Sequence, residues 1–279
     1  MFDEVWNHIY IGICSVKVKL ANSITFKNMV VIMAYVNYKG IVLKEVNTGE
    51  ADKIITVLTA EEGKIFIAAK NARRAKNSLS SGTQLLCYSS YMLFKGKELY
   101  NMSSCEVIES NYEIRNDIVK LTYCSHILGL VSDNVQEGEP SESILQLLLN
   151  TLYVIAKTDR SLEFITRVFE WRLMALLGYE PHVTSCINCN KTNDEKVFFD
   201  LDSSGLVCSE CVNKRGRVYP LLPGTVKALK YIMLINPQKL YSFSLSEEII
   251  KELSTISKKY IKEHLGKEYN KLDYLKYYK

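Results

Sequence analysis

Two pairs of cysteines constrain the fold of this chain more than any other sequence feature. Each pair has the pattern Cys-x2-Cys, and eighteen residues separate Cys186 and Cys189 from Cys208 and Cys211. This spacing is typical of a tetrahedral zinc site, in which two tight turns each present two sulfurs to one ion. The segment "KVFFDLDSSGLVC" has two apolar runs around a polar turn, which predicts a β-hairpin. Residues 186–219 are therefore predicted to be a zinc-binding module, a zinc ribbon with one structural Zn²⁺.

Other uses of these thiols fit the sequence less well. A catalytic zinc keeps one position open for water, whereas four thiolates close the tetrahedron. The His-x-Glu signature of zinc deaminases is absent, because His182 has no glutamate two residues later. A redox or iron centre, or a module that has lost its metal, stays open as an alternative.

The first residues contain no secretory signal, since Asp3 and Glu4 replace its basic start and the apolar run is short and broken. The sequence has no run of about eighteen apolar residues, so no membrane span is expected. We therefore expect a cytoplasmic protein, in which reduced thiols are the rule. Residues 1–33 look unlike the rest of the chain and are predicted to be an N-terminal extension from a misplaced start codon, the alternative being an ordinary extra strand.

Residues 34–112 have the pattern of a small β-barrel. Apolar and β-branched runs such as "GIVLKEV", "KIITVLT" and "KIFIAAK" alternate with turn signals at roughly ten-residue intervals. Five such strands in about 75 residues suit the OB-fold, which binds single-stranded nucleic acid in many proteins. A fold alone does not establish that function.

From residue 113 the apolar period becomes helical. Helices are predicted in "PSESILQLLLNTLYVIAK", in "SLEFITRVFEWRLMALLG" before Gly178, and in a final segment between the cap Ser246 and Gly266. Residues 113–185 and 220–279 are thus predicted to form one helical domain into which the zinc module is inserted. The expected fold class is α+β multidomain, an N-terminal OB-fold barrel followed by an all-α domain with an inserted zinc ribbon.

Positive charge is concentrated between two strands of the predicted barrel, in "KNARRAKNS" at residues 70–78. The guanidinium group of arginine binds phosphate oxygens through two hydrogen bonds. Loops on a rigid barrel frequently carry binding residues. Three further lysines lie on nearby strands or turns, and tyrosines and Phe94 could stack bases, although each aromatic is more readily explained as barrel core. A solvated loop is the alternative for the basic run. The predicted nucleic-acid-binding residues are Lys39, Lys44, Lys64, Lys70, Arg73, Arg74 and Lys76.

Enzymatic motifs are missing from the sequence. There is no P-loop, no glycine-rich dinucleotide fingerprint and no Gly-x-Ser-x-Gly elbow, and the four histidines are far apart in sequence with no obvious nucleophile beside any of them. We therefore predict a protein that is not an enzyme. The competing classes are a general zinc-ribbon nucleic-acid-binding protein of transcription or RNA metabolism, a helical scaffold whose barrel binds protein, and a zinc enzyme.

Several stretches together resemble the RecO family of bacterial DNA repair and recombination mediator proteins. They are Gly-Glu-x-Asp at 49–52, Thr-x-Glu-x-Gly-Lys at 59–64, Ala-Lys-x-Ala-Arg-Arg at 69–74, "EWRLMALLGYEP", and the zinc pairs C-terminal to it. The resemblance covers roughly residues 38–275. The family usually has glycine where this chain has Asn71, a difference that could change the bend of the loop without removing its charge.

The resemblance implies an OB-fold domain, a helical domain and a zinc module within it, in a bacterial protein associated with the nucleoid. It implies binding to single- and double-stranded DNA, annealing of complementary strands, and loading of RecA with RecR onto DNA coated by single-strand-binding protein. It further implies that the helical domain receives the acidic C-terminal tail of single-strand-binding protein. Lysines of the last helix are predicted to supply the cationic rim, namely Lys251, Lys258, Lys259 and Lys262.

Overall fold

The structure, a computed structural model, describes residues 19–20, 34–192, 196–212 and 216–277. The chain divides into two compact units. The barrel unit contains the described part of residues 1–112 together with 131–145, and the helical unit contains residues 113–130 and the described part of 146–279. The predicted extension at residues 1–33 lies outside the described residues except for 19–20, and the predicted domain boundaries stay predictions.

Six strands form the sheet of the barrel unit. They are β1 (Lys19–Leu20), β2 (Ala34–Thr48), β3 (Asp52–Thr59), β4 (Lys64–Ala69), β5 (Tyr88–Lys95) and β6 (Tyr100–Glu109). Their order is β1-β2-β3-β4-β6-β5, and β5 pairs back with β2 to close a five-stranded barrel. Only the β4–β6 pair is parallel among these strands. This topology confirms the predicted OB-fold.

Closure of the barrel depends on the length of β2. Its first half pairs with β5 and its second half pairs with β3, with a register shift between Val42 and Lys44. Such a bulge bends a strand so that it can serve two neighbours. Alternate residues then point inward, and Val42, Ile55 and Ile67 lie in one fully buried cluster.

The helical unit contains most of the helical residues. The helices are α1 (Tyr112–Arg115), α2 (Ile118–Asn134), α3 (Glu142–Lys157), α4 (Leu162–Leu176), α5 (Pro223–Leu234) and α6 (Glu247–Leu265), with 3-10 turns at Ser81–Thr83, Pro237–Lys239 and Lys271–Tyr277. The ends of α6 are as predicted, because the Ser246 hydroxyl accepts a hydrogen bond from the Ile249 N–H and Gly266 adopts φ +64°. None of the described helices is long and apolar enough to cross a membrane.

A buried polar network holds three of these helices together. The Glu170 carboxylate of α4 contacts the His126 ring of α2 at 2.7 Å and accepts hydrogen bonds from Arg167 at 2.7 Å and from the Ser257 hydroxyl of α6 at 2.8 Å. All four residues are at most 3 % exposed. Burial raises the pKa of Glu170, but the Arg167 guanidinium, the His126 ring and Ser257 outweigh it and lower that pKa below 4.5. His126 is therefore a packed core residue of the helical unit.

The ribbon between α4 and α5 has three short strands, β7 (Val197–Asp200), β8 (Gly205–Cys208) and β9 (Val218–Leu221). The order is β8-β7-β9 with both pairs antiparallel. The sequence pattern predicted the β7–β8 hairpin but not β9. Gly205 permits close packing at the hairpin, because a Cβ there would lie 2.6 Å from Ile187 and 2.9 Å from the His182 carbonyl oxygen.

Candidate metal centre and nucleic-acid interface

The four cysteines of the two Cys-x2-Cys pairs come together at the open end of the β7–β8 hairpin. Their sulfur atoms all lie within 4.8 Å of one another, and the Cys189 and Cys208 sulfurs are 3.6 Å apart. Four sulfurs around one zinc at about 2.3 Å would be separated by about 3.8 Å. A disulfide requires about 2.05 Å, so the thiols are not paired with each other. The donor set and its spacing fit a zinc ion.

The surroundings favour the thiolate at Cys186 and the protonated thiol at Cys211. Burial raises the pKa of Cys186, but the backbone N–H groups of Cys208, Cys189 and Asn188 donate to its sulfur and lower that pKa to about 6. At Cys211, hydrogen bonds with the Cys189 and Cys208 thiols raise the pKa to about 12. A divalent cation would favour the deprotonated form of all four, and because protein ligands would fill the tetrahedron, it would stabilise the ribbon.

The predicted basic segment, residues 70–78, is a loop that follows β4 and is fixed at several points. The Asn71 N–H donates to the Asp52 carboxylate at 2.7 Å, and the Arg73 N–H donates to the Ala51 carbonyl at 2.9 Å. Within the loop, the Asn77 side-chain amide donates to the Asn71 carbonyl at 3.0 Å. Ala72 is fully buried in the barrel core. The loop is thus attached both to the β2–β3 turn and to the core.

The cations of this loop face solvent. Lys70, Arg73, Arg74 and Lys76 are all exposed. Arg73 uses one guanidinium nitrogen to reach the Glu50 carbonyl at 3.2 Å, which orients its remaining donors. We call these four residues the basic loop cations.

Asn71 shows how the loop bends in the absence of glycine. Its φ is +57°, the left-handed conformation that glycine adopts freely and asparagine tolerates better than most residues. The departure from the family pattern at this position therefore keeps a bend that glycine would also permit.

Two of the other three predicted lysines, Lys39 and Lys64, lie at the end of the strands away from the basic loop. Lys44 is exposed on the outward face of β2, opposite Thr56. Lys64 begins β4, and five residues at about 3.3 Å each place it about 17 Å from the end of β4 that leads into the loop. Its ammonium donates to the Ser132 carbonyl at 2.9 Å. Lys39 precedes the pair Gly40–Thr59, at the same end as Lys64.

The aromatic residues are mostly core, as the sequence favoured. Tyr38, Tyr88 and Tyr91 are buried, whereas Phe94 and Tyr100 are half-buried. Phe94 makes an edge contact with Tyr35 and Tyr100 one with Tyr38. One half-buried aromatic that sequence reasoning missed is Phe66, on the outward face of β4.

A cavity of about 380 Å³ lies in the helical unit between the ribbon and α5. Its lining includes the apolar side chains of Val197, Leu221 and Val226. Three lysines also line it, Lys191, Lys227 and Lys230. The lysines predicted on α6 are not part of this lining; Lys259 lies over the Tyr219 ring, and Lys262 pairs with Glu268.

The closed five-stranded barrel, the helical unit and the ribbon define an OB-barrel protein with a module whose four cysteines lie close enough to hold a metal ion. Residues 33–111 match the family described as Recombination protein O N terminal, and residues 115–273 match the family described as Recombination protein O C terminal. The chain belongs to the RecO family of DNA repair proteins. This assignment favours DNA repair over transcription or RNA metabolism.

Curated relatives are similar in sequence to this chain over nearly their whole length. The DNA repair protein RecO of Acetivibrio thermocellus is 48% identical over 244 residues, covering 88% of this chain and 97% of the relative. The protein of the same name from Caldicellulosiruptor saccharolyticus is 36% identical, covering 88% and 100%. That of Alkaliphilus metalliredigens is 33% identical, covering 85% and 97%.

Proposed function

We propose that this chain is a DNA-binding recombination mediator that binds single- and double-stranded DNA, anneals complementary strands and, with RecR, helps load RecA onto DNA coated by single-strand-binding protein. It acts in the bacterial cytoplasm, in association with the nucleoid, and not as an enzyme. The observation that supports this most is the set of basic loop cations, four exposed charges held on an anchored loop of an OB-barrel.

Binding through these cations is electrostatic. Each cation that neutralises a phosphate releases condensed counterions, so affinity falls steeply as salt rises. Phosphate contacts leave the base edges free, and a strand held in this way can still pair with its complement. Phosphate contacts that leave the bases free to pair are suited to the annealing of complementary strands.

Lys70, Arg73, Arg74 and Lys76 are the proposed contacts, with Lys44 on the adjoining outward face. Lys39 and Lys64 lie at the far end of the strands and make a separate, weaker contribution to DNA affinity. The Lys64 ammonium already binds a helix carbonyl, and Glu61 and Glu62 lie in the adjacent turn. The four cysteines are proposed to hold one structural Zn²⁺, which stabilises the ribbon and makes no DNA contact.

The helical unit is proposed to receive the acidic tail of single-strand-binding protein. The cavity beside the ribbon supports this, because an apolar floor with a lysine rim fits a short segment that has both apolar and acidic groups. Lys227 is exposed and Lys230 is half-buried on the α5 side of the rim. These two lysines are better placed for the tail than the lysines of α6.

The direct test is annealing of complementary strands that have been precoated with single-strand-binding protein, with and without this chain. We expect the chain to accelerate duplex formation, and we expect the variant Arg73→Ala, Arg74→Ala, Lys76→Ala to lose most of that acceleration. A chain that binds both strands yet leaves the annealing rate unchanged would contradict the proposal and favour a plain nucleic-acid-binding protein.

A further inference from the structure

The cavity beside α5 shares part of its wall with the candidate metal centre. Cys186 and Cys208 line the cavity, and both belong to the four cysteines whose sulfurs converge. They are at most 3 % exposed and pack in one buried cluster with Val207, a further lining residue. The same side chains thus belong to the metal centre and to the cavity.

The sheet of the ribbon continues this wall away from the cysteines. Val197 of β7 lies opposite Cys208 of β8 on one side and opposite Leu221 of β9 on the other. All three residues line the cavity, so a row of lining residues across three strands begins at a candidate metal ligand. The lining residues between 223 and 230 belong to α5, which lies outside the ribbon.

Lys191 links the metal centre to the lysine rim of the cavity. It lies two residues after Cys189, and its carbonyl oxygen accepts a hydrogen bond of 2.9 Å from the Cys186 N–H. Its ammonium is 3.0 Å from the carboxylate of Glu210, which lies between the two cysteines of the second pair. The position of this cavity-lining cation therefore depends on how both cysteine turns are held.

The two sides of the cavity differ in what holds them. Each ribbon strand has four residues, and metal binding supplies folding free energy to small modules of this kind. Helix α5 is held independently of the cysteines, because the Arg172 side chain of α4 donates to the Ile232 and Met233 carbonyls at 3.0 and 2.6 Å. Loss of the ion should therefore disturb the ribbon side of the cavity and leave the α5 side in place.

We propose that the metal centre controls the cavity, so that an acidic peptide with apolar side chains binds the zinc-loaded chain more tightly than the zinc-free chain. This inference rests on the proposed function, which places the acidic tail of single-strand-binding protein in this cavity. Of the described residues that line the cavity, three are lysines and none is acidic, which fits an acidic ligand. Coupling between two binding sites is reciprocal, so the peptide must tighten zinc binding by the same factor.

The test measures both directions of this coupling on the full chain. Isothermal titration with the acidic tail peptide should show about tenfold weaker binding to chelator-treated chain than to zinc-loaded chain, with recovery when Zn²⁺ is added back. Competition with a fluorescent zinc chelator should show about tenfold higher zinc affinity in saturating peptide, a result that does not require the zinc-free ribbon to stay folded. A peptide whose carboxylates are replaced by amides is the control and should leave zinc affinity unchanged.

Lys191→Ala and Lys227→Ala compare a cation that depends on the metal with one that does not. Each removes one lysine from the cavity and keeps all four cysteines. Lys227→Ala should weaken peptide binding equally in the zinc-loaded and zinc-free chains. Lys191→Ala should weaken it mainly in the zinc-loaded chain and reduce the difference between the two forms about threefold, within the range for one exposed ion pair.

Equal peptide affinity in the two forms, with zinc affinity unchanged by the peptide, would overturn the control of the cavity by the metal while the tail site itself stands. Equal effects of the two lysine variants would overturn the part assigned to Lys191. If the peptide binds neither form, the tail site of the proposed function fails together with this inference, whereas DNA binding by the barrel is tested separately with oligo(dT).

Discussion

The Asp52 carboxylate at the start of β3 accepts a hydrogen bond of 2.7 Å from the Asn71 N–H, which ties the basic loop to the first hairpin of the barrel. Asn71 has φ +57°, so this contact also holds the residue at which the chain turns away from β4. The positions of the basic loop cations thus depend on an acidic residue.

A pair of substitutions at Asp52 separates position from charge. Asp52→Asn removes the negative charge but keeps an oxygen that can accept the Asn71 N–H, whereas Asp52→Ala removes both. Electrostatics alone predicts that both variants bind DNA more tightly than the parent. We expect tighter binding only for Asp52→Asn and about threefold weaker binding for Asp52→Ala, since a loose loop must be ordered on binding. Fluorescence anisotropy with a labelled oligonucleotide measures both, and equal gains would contradict the anchoring role.

The metal centre gives a second prediction. Metal analysis of purified protein should find one zinc per chain, and Cys208→Ser should reduce it to well below one. The variant should lower the melting temperature, because the ribbon would lose the free energy of metal binding. Barrel-mediated affinity for oligo(dT) should stay within about twofold. Folded protein without bound metal would refute the zinc assignment.

The free energy of unfolding at acid pH should depend on the Glu170 network. Because the pKa of Glu170 is lowered on folding, its contribution to stability is present above pH 4.5 and is lost as the pH falls through the lowered value. Glu170→Gln should reduce the free energy of unfolding by about 3 kcal/mol near neutral pH, since it removes the buried charge partner of Arg167 and leaves only the more exposed Glu163. The loss should shrink towards acid pH. Chemical denaturation across the acid range measures this difference, with the exposed Glu98→Gln as control; a loss independent of pH would contradict the assignment.

The two proposed positions for the tail, the cavity beside α5 and the lysines of α6, give opposite predictions for a peptide titration. Lys227→Glu with Lys230→Glu should weaken binding of an acidic tail peptide at least tenfold, because both residues line the cavity. Lys251→Glu with Lys258→Glu changes the same charge on α6 and should have less than a threefold effect. Isothermal titration distinguishes the two; the reverse order would place the tail on α6.

Local patterns were sufficient to predict much of the architecture. The spacing of Cys186, Cys189, Cys208 and Cys211 implied their convergence, because two tight turns and a hairpin leave few arrangements of four sulfurs. The closed barrel followed from short strands with regular turns, and the bounds of α6 from Ser246 and Gly266.

Features that depend on register could not be predicted in this way. Val46, Ile54 and Ala68 lie in one outward row, which arises only after the bulge near Lys44 fixes which faces of β2 and β3 coincide. To predict that Lys64 lies far from the basic loop, one must likewise know in which direction β4 runs. Glu170 is one of several charged residues of α4, and two of its partners, His126 and Ser257, lie 44 and 87 positions away in sequence.

The salt dependence of single-strand binding tests the central claim most directly. For single strands each neutralised phosphate contributes about 0.7 to the slope of log affinity against log salt, so replacing Arg73, Arg74 and Lys76 with alanine should flatten the slope by about 2. A variant with alanine at Lys239, Lys251 and Lys258 loses the same charge from the helical unit and should keep the parent slope. An unchanged slope and affinity in the loop variant would show that DNA binds elsewhere.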